Sequence, residues 1–447
     1  MSNFRLSLWS LMLAMMLGLI SCNPEDGDVD PTKVQNEVHK AIYDVMSDWY
    51  YWNREMPTDV SFSGTMSNQD FLEQLRYTPL DRPGWTYITT QEAFRAAFTG
   101  QVSGVHGFRM GMDQDERLFI ASVLKTGPAG ADGWQRGWQI LEINGKKISE
   151  FRNSSGGYSF DTGPNQVGIS NTFKFKLPDG TETTRTITKE AFAANSVAFQ
   201  DVFEVENKKV GYWVYESFRA SPNVTPTKSV EVEESFNKFI SEGIDELIID
   251  LRYNGGGSVD VALQVMNYLI PASADNRTAY VYRYNGKQST NNRTVSFRKL
   301  GGLAINKIVF ITARGSASAS ELIINSLKPY MDVSIVGDNT YGKPVGQFPL
   351  SSFSRTLVEN NVEVVPVTFS LANSRGEADF FEGFKPDAMV GDDLTRNWGD
   401  KQEARLAAAL NMISSGGVSA RMANTYYRPK WEMIDQFEGL EKEFPMF

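Results

Sequence analysis

Residues 307–327 read KIVFITARGSASASELIINSL. The first seven residues are apolar and largely β-branched, which predicts a short buried strand. The small residues that follow allow a tight turn, and the last six place apolar side chains at helical spacing before Pro329 ends the helix. A second apolar run at 333–337 (VSIVG) and a turn at 340–344 (TYGKP) come next. The sequence therefore predicts a strand, turn, helix and strand of an α/β fold.

Three hydroxyl groups, those of Ser316, Ser318 and Ser320, fall in the predicted turn between strand and helix. Such a turn suits a nucleophile, because unpaired amides at the helix N-terminus can receive an oxyanion. The alternative is structural: the serines are turn and cap residues, and Glu321 lies in the first turn to complement the helix dipole.

A nucleophilic serine needs a base, and the chain offers few. His39 and His106 are the only histidines, and both lie far upstream, so a histidine base would come from another part of the chain. Lys343, in a Gly-Lys-Pro turn between apolar runs, is the other candidate. A lysine accepts a proton only if burial lowers its pKa enough to leave it neutral.

Three segments, 315–321 (GSASASE), 336–338 (VGD) and 342–347 (GKPVGQ), together resemble the catalytic core of the C-terminal processing peptidases. These enzymes, also called tail-specific proteases, use a Ser-Lys dyad. In that family the nucleophile is the middle serine, 25 residues before the lysine, and 343 − 25 = 318. The resemblance therefore implies Ser318 as the nucleophile and Lys343 as the base.

The same resemblance implies the remaining catalytic groups. Glu321 matches a family glutamate three residues after the serine and would orient or tune the lysine, with a structural carboxylate as the alternative. Residues 250–257 (DLRYNGGG) resemble a turn that supplies one amide of the oxyanion hole. Gly256 is the best match for that donor and Gly257 the alternative, because a glycine replaces the family's proline. The amide of Ala319 is the expected second donor.

Residues 85–190 read as short strands and turns, and their order resembles a PDZ domain. PDZ domains bind the C-terminus of a peptide by adding it as a strand to a sheet edge. The matching loop is 105–110 (VHGFRM), so Gly107 and Phe108 are implied in substrate binding. His106 departs from the usual loop pattern, and a purely structural PDZ-like domain is the alternative.

The first residues predict export and a lipid anchor. Arg5 is followed by a sixteen-residue run at 6–21 that is too short for a membrane span and suits a signal peptide. Its end, Leu-Ile-Ser-Cys, resembles the bacterial lipobox, with Cys22 as the lipidated residue; an uncleaved apolar anchor is the alternative. Cys22 is the only cysteine, so no internal disulfide and no cysteine metal site can form. We expect a lipid-anchored protein of the bacterial cell envelope.

Composition narrows the function further. The net charge is 44 − 54 = −10, which speaks against a nucleic-acid surface and against unaided binding to anionic lipid. We expect no metal and no organic cofactor. The oligomeric state is left unassigned.

These inferences combine into an α/β multidomain protein whose catalytic domain, by resemblance, is crotonase-like. The predicted divisions are a signal peptide (1–21), a tether (22–32), a helical N-terminal region (33–84), a PDZ-like domain (85–190), a catalytic domain (197–412) and a tail (413–447). The predicted function is serine endopeptidase action on protein or peptide substrates recognised near their C-terminus. The rival is a lipoprotein that binds peptides on a peptidase-like scaffold without cutting them.

Overall fold

A computed structural model describes residues 30–305, 307–415, 433 and 434. The predicted signal peptide, the anchor residue Cys22 and most of the predicted tether and tail lie outside the described residues. Among the described residues, no helix combines the length and apolar character that crossing a membrane requires.

The N-terminal region is helical, as predicted, and packs against the catalytic domain. Its elements are α1 (Pro31–Trp49), α2 (Asn68–Leu75), β1 (Tyr87–Thr89) and α3 (Gln91–Phe98). Helix α1 begins where Asp30 accepts a hydrogen bond from the Thr32 amide, with Pro31 at the first helical position. After α1 ends, Tyr50 is fully buried and the amide of Tyr51 donates to the carbonyl of Val367. This aromatic segment therefore anchors the N-terminal region to the catalytic domain.

The PDZ-like domain is an antiparallel sheet around an aromatic core. Its elements are β2 (Gln101–Val105), β3 (Phe108–Met112), β4 (Leu118–Val123), α4 (Pro128–Ala131), β5 (Gln139–Ile143), β6 (Lys146–Lys147), β7 (Ser170–Lys176), β8 (Glu182–Thr188) and β9 (Glu190–Ala193). The main sheet has the order β3-β4-β5-β7-β8, with β6 on β5. Phe108, Ile120, Trp134 and Phe173 fill the core, in keeping with the alternation of strand side chains.

The catalytic domain contains the strands and α-helices between residues 197 and 415. They are β10 (Val197–Val205), β11 (Lys208–Tyr215), α5 (Val230–Glu242), β12 (Glu246–Asp250), α6 (Val259–Leu269), β13 (Thr278–Tyr284), β14 (Arg293–Ser296), β15 (Lys307–Thr312), α7 (Ala319–Leu327), β16 (Asp332–Gly337), β17 (Val345–Gln347), α8 (Arg355–Glu359), β18 (Glu363–Val365), β19 (Val367–Ala372), β20 (Ala388–Met389) and α9 (Ala404–Ser415).

The central sheet has the order β10-β11-β12-β15-β16-β20 and is parallel from β11 onward. On one face, Ile249 and Phe310 pack beneath α5, α6 and α7. On the other, Ile248 and Val309 pack against α9. Both faces are covered, which explains the unbroken apolar runs of β12 and β15. The turns after these two neighbouring strands meet at one edge of the sheet, where an α/β fold usually holds its ligand.

The structure differs from the sequence pattern in two places. The largely apolar run at 362–369 predicts one strand, but Pro366 lacks an amide hydrogen and separates β18 from β19. Strand β18 pairs with β1, whereas β19 joins a four-stranded antiparallel sheet of order β14-β13-β19-β17. Strand β1 lies within the segment 85–190 that the sequence assigned to the PDZ-like domain, yet its partner strand belongs to the catalytic domain.

Candidate active site

The three serines of the turn have different surroundings. Ser316 and Ser320 are fully buried, and their hydroxyls donate to the carbonyls of Leu251 at 2.7 Å and Asn254 at 3.0 Å. Ser318 is only partly buried and stands at the N-cap of α7 with φ of 53°, a strained conformation for a residue other than glycine. Two hydroxyls therefore fix the turn to the preceding loop, while that of Ser318 lines a cavity.

Lys343 lies in the same cavity wall and is 2% exposed. Its Nζ donates to Gln347 Oε1 at 2.7 Å and lies 5.8 Å from the centre of the Trp85 ring. Burial lowers the pKa of Lys343 to about 7, although the charges of Asp81 and Glu321 act in the opposite direction. A substantial fraction of the lysine is therefore a neutral amine near neutral pH, as a base requires.

Glu321 is fully buried and accepts four hydrogen bonds. One carboxylate oxygen receives the Thr340 hydroxyl at 2.6 Å and the Gly342 amide at 2.7 Å. The other receives the amides of Lys343 at 2.8 Å and Ser318 at 3.0 Å. Burial raises the pKa of Glu321, and these hydrogen bonds oppose the rise. The carboxylate thus holds the backbone of both Ser318 and Lys343 by accepting from their amides.

The structure shows how the side-chain amide of Gln347 is oriented, which the sequence alone did not predict. Its Nε2 donates to the carbonyl of Trp85 at 3.0 Å, which leaves Oε1 to accept the hydrogen bond from Lys343. The sequence showed only that a glutamine follows the lysine by four residues. The partner that orients its amide is 262 positions away in the chain.

The cavity at Ser318 and Lys343 is mostly apolar. Its other lining residues are Val259, Ala319, Leu322, Pro344, Val345, Gly346, Gln347, Phe369, Leu371 and Phe380. Such a lining suits an uncharged side chain beside the serine.

Gly256 brings the loop after β12 directly against the turn that carries Ser318. A β-carbon at this position would lie 2.9 Å from Ser318 Cβ and 3.2 Å from the Ala319 amide nitrogen. Its φ of 118° is also unfavourable for other residues. The position therefore requires glycine because of both space and backbone conformation.

The amides of this loop favour Gly257 as a donor. The Gly256 amide already donates to Asn254 Oδ1 at 2.9 Å. The Gly256 carbonyl accepts from the Phe218 amide, and in a trans peptide the next N–H points the opposite way. The amide of Gly257 is thus directed away from Phe218. Because the Gly256 amide is already bonded to Asn254, Gly257 is the better candidate of the two for an oxyanion-hole donor.

The two histidines belong to other clusters. His39 stacks on Phe71 at 4.3 Å in the N-terminal region, and His106 packs against Phe173 at 5.5 Å in the PDZ-like core. Neither lines the cavity of Ser318. Within the described ranges, no cluster of histidine, cysteine, aspartate and glutamate has the arrangement of a metal site.

In the PDZ-like loop, Gly107 and Phe108, the two residues that the sequence implies in substrate binding, make contacts within the protein. Phe108 is 1% exposed because its ring belongs to the domain core. Gly107 has φ of 80°, and its carbonyl accepts from the Leu124 amide at 2.8 Å. The outer edge of β3 is paired with the two-residue strand Met433–Ile434 of the same chain.

A buried ion network surrounds the loop that leads to the glycines. Arg252 pairs with Asp250 at 2.7 Å, Asp392 at 2.6 Å and Glu403 at 2.9 Å, and Arg136 pairs with Asp392 at 2.5 Å. Burial alone would raise the pKa of Asp392, but the two guanidinium groups bring it well below its usual range. The network joins the PDZ-like domain, the central sheet and the segment before α9.

Tyr253, within that loop, receives two hydrogen bonds from the PDZ-like domain. Arg109 donates to its carbonyl at 3.0 Å, and Arg136 donates to its hydroxyl at 2.8 Å. Its hydroxyl in turn donates to Asp392 at 2.6 Å. The loop beside Ser318 is therefore held partly by residues of the PDZ-like domain.

Three family models match parts of the chain. The model of "Peptidase family S41" matches residues 209–390, that of the "Peptidase S41 N-terminal domain" residues 37–87, and that of the "PDZ domain" residues 98–155. The chain is 28% identical over 279 residues to a carboxyl-terminal-processing protease of Synechocystis, covering 61% of this chain and 60% of that protein. It is 24% identical over 324 residues to the carboxy-terminal processing protease CtpB of Bacillus subtilis, covering 71% and 60%.

A crystal structure of a candidate S41 protease from Bacteroides fragilis superposes with a TM-score of 0.68 at 25% identity, covering 84% of this chain and 97% of that one. The matched stretches span about three fifths of the length of the two curated relatives. The chain thus combines an N-terminal helical region, a PDZ domain and an α/β domain in which a serine and a lysine line one cavity. This combination identifies the class of protein as a peptidase. The chain belongs to peptidase family S41, the C-terminal processing peptidases.

Proposed function

We propose that the protein is a serine endopeptidase that hydrolyses peptide bonds of protein or peptide substrates through a dyad of Ser318 and Lys343. The observation that carries the proposal is the buried, largely desolvated amine of Lys343 in the same cavity as Ser318. A protonated lysine would gain nothing from such burial, whereas a general base needs it.

The dyad supports an acyl-enzyme reaction. The neutral amine of Lys343 takes the hydroxyl proton as Ser318 Oγ bonds to the scissile carbonyl carbon. The resulting oxyanion is stabilised by the amides of Ala319 and of Gly257 or Gly256. Collapse of the intermediate breaks the C–N bond, and the lysine passes its proton to the leaving amine. Water then attacks the acyl-enzyme by the same proton transfers and releases the new carboxyl terminus.

Labelling by a fluorophosphonate tests the nucleophile, since it phosphonylates only an activated serine. The wild type should be labelled, and digestion with mass spectrometry should place the adduct on Ser318. Ser318→Ala should not be labelled. Lys343→Arg should not be labelled either, because a guanidinium stays protonated and cannot act as a base. Labelling of Lys343→Arg at the wild-type rate would refute the lysine base.

The rival function is peptide binding without turnover. It predicts a folded wild type that binds peptides but is neither labelled by the fluorophosphonate nor able to cleave any peptide. A labelled serine together with new peptide termini would exclude it.

We further propose that substrates are recognised near their C-terminus by the PDZ-like domain, with backbone groups at Gly107 and Phe108 taking part. Because the outer edge of β3 is paired with Met433–Ile434, a substrate strand added there would replace that short strand. Peptides with a free C-terminal carboxylate should then be cleaved faster than the same peptides with a C-terminal amide. Equal rates for the two sets would indicate a structural PDZ-like domain.

We also propose a lipid anchor on Cys22 that holds the enzyme on the bacterial envelope. In detergent phase partitioning, the wild type should enter the detergent phase, and Cys22→Ser should leave a soluble protein or an unprocessed precursor. Several acyl chains are needed for stable anchoring, and bacterial lipoproteins carry them. A wild type found wholly in the aqueous phase, with an N-terminus other than Cys22, would refute the anchor.

A further inference from the structure

Trp85 comes from the end of the N-terminal region, yet it lies against the proposed base in the catalytic domain. The indole is fully buried, and the centre of its ring is 5.8 Å from Lys343 Nζ. Its backbone carbonyl accepts from Gln347 Nε2 at 3.0 Å, and Gln347 Oε1 accepts from Lys343 at 2.7 Å. One residue therefore reaches the lysine twice, by its ring and through the glutamine.

The indole is held in place by its neighbours on the catalytic domain. Its ring stacks on that of Phe381 at 6.4 Å and contacts the ring of Tyr341 at 6.2 Å. The guanidinium of Arg82 lies 5.6 Å from the indole and donates to the carbonyls of Tyr341 at 3.2 Å and Phe381 at 2.6 Å. Arg82 thus fastens the N-terminal region to the two residues that flank the ring.

The indole N–H is buried and has no hydrogen-bond partner among the described residues. Any part that the side chain plays here therefore rests on its ring. A phenylalanine at this position would keep an aromatic cover over the lysine, whereas an alanine would remove it. The two substitutions separate the cover from the backbone contact, because both retain the carbonyl that holds Gln347.

We propose that Trp85 is a positioning residue for the dyad: its ring keeps water from the amine of Lys343, and its carbonyl fixes the amide that orients that amine. The proposal rests on the function proposed above and deepens it, because the N-terminal region becomes part of the catalytic apparatus.

The neighbouring charges do not replace this cover. Asp81 and Glu321 are the carboxylates whose charges act on Lys343, and both favour the protonated amine. Tyr87, whose hydroxyl approaches Gln347, keeps its proton because burial raises its pKa well above the usual value. A ring about 6 Å from a cation also attracts it weakly, so this contact does not favour the neutral amine. Exclusion of water is the factor left to keep the lysine neutral.

The test compares Trp85→Ala with Trp85→Phe in pH profiles of fluorophosphonate labelling, on the full chain. In Trp85→Ala the midpoint of the profile should move up by at least about one pH unit. The rate at pH 6.5 should then fall about tenfold, while much of it returns at pH 10, since one pKa unit changes the neutral fraction tenfold. Trp85→Phe should retain most of the wild-type profile.

Lost stability alone would lower the rate by the same factor at every pH, so an unshifted midpoint in Trp85→Ala would overturn the proposal. If Trp85→Ala does not fold, Trp85→Leu replaces it, with an upward shift again expected and an unshifted midpoint again decisive. If the wild type is labelled and the variants have the same midpoint as the wild type, only the role of Trp85 is refuted. A wild type that is not labelled at any pH refutes the serine peptidase and the role of Trp85 together.

Discussion

Replacing Lys343 by methionine should stabilise the protein while abolishing its activity. The lysine is 2% exposed, and burial lowers its pKa from 10.5 to about 7. In the unfolded chain the same lysine keeps its ordinary pKa. Between these two values the unfolded state binds more protons than the folded state, so the stability contributed by this site rises with pH.

The size of the effect follows from that difference. A gap of about 3.5 pKa units is worth about 5 kcal/mol, because each unit corresponds to about 1.4 kcal/mol. Folding therefore loses about 5 kcal/mol at this site below pH 7, about 4 kcal/mol at pH 7 and about 1 kcal/mol at pH 10. Methionine has a similar length and no charge. It forfeits the hydrogen bond to Gln347, which costs about 1 kcal/mol.

The measurement is the free energy of unfolding by urea, for wild type and Lys343→Met, at pH 7 and at pH 10. The variant should be more stable by about 3 kcal/mol at pH 7, and this advantage should disappear by pH 10. Lys33→Met, at an exposed position, serves as the control and should show no such change with pH. An advantage of Lys343→Met that stays constant between pH 7 and pH 10 would refute the lowered pKa.

Three further predictions concern the surroundings of the dyad. Ser318→Ala should abolish peptide cleavage, and cleavage by this variant would refute the assignment. Ser316→Ala and Ser320→Ala should retain measurable cleavage. Ser320→Ala should lose about 1 kcal/mol of stability with its one hydrogen bond, and Ser316→Ala about 2 kcal/mol, because the Ser316 hydroxyl donates to Leu251 and accepts from the Ala313 amide. Glu321→Gln should slow fluorophosphonate labelling at least about tenfold. An amide has one accepting oxygen, so in either orientation its NH2 group faces at least one backbone N–H of the turn that holds Ser318 and Lys343. Labelling at the wild-type rate would show that the four hydrogen bonds to the carboxylate are not needed to hold these residues. Asp392→Ala should lower the free energy of unfolding by about 3–5 kcal/mol, because it leaves two buried guanidinium groups short of a partner; a loss below about 1 kcal/mol in urea unfolding would contradict this.

Local features of the sequence predicted the strand–turn–helix unit well. The apolar run before the serines and the helical spacing after them match β15 and α7 closely. The break at Pro366 is also visible in the sequence, because proline has no amide hydrogen to donate within a continuous strand. The pairing of β1 with β18 could not be read at all, since it joins segments more than 270 residues apart.

In the candidate site too, the local sequence predicted some features, whereas others depend on contacts between distant segments. A family pattern in the sequence indicated Ser318 and Lys343, and in the structure both residues line the same cavity. The orientation of Gln347 depends on a carbonyl in the N-terminal region, and the choice between Gly256 and Gly257 depends on which amide is already bonded. Spacing along the chain carries no information on either point.

The site concentrates features that oppose folding. Ser318 has a positive φ, which costs on the order of 1–3 kcal/mol, and Lys343 is buried, which lowers its pKa. Glu321 compensates for both at one point, since it binds the amide of each residue and two further donors of the turn at 340–343. Because the same carboxylate sets the distance between the two backbones, stability and reactivity at this site depend on one buried side chain. A substitution that relieves the strain at Ser318 or the burial of Lys343 should therefore raise stability and lower activity together.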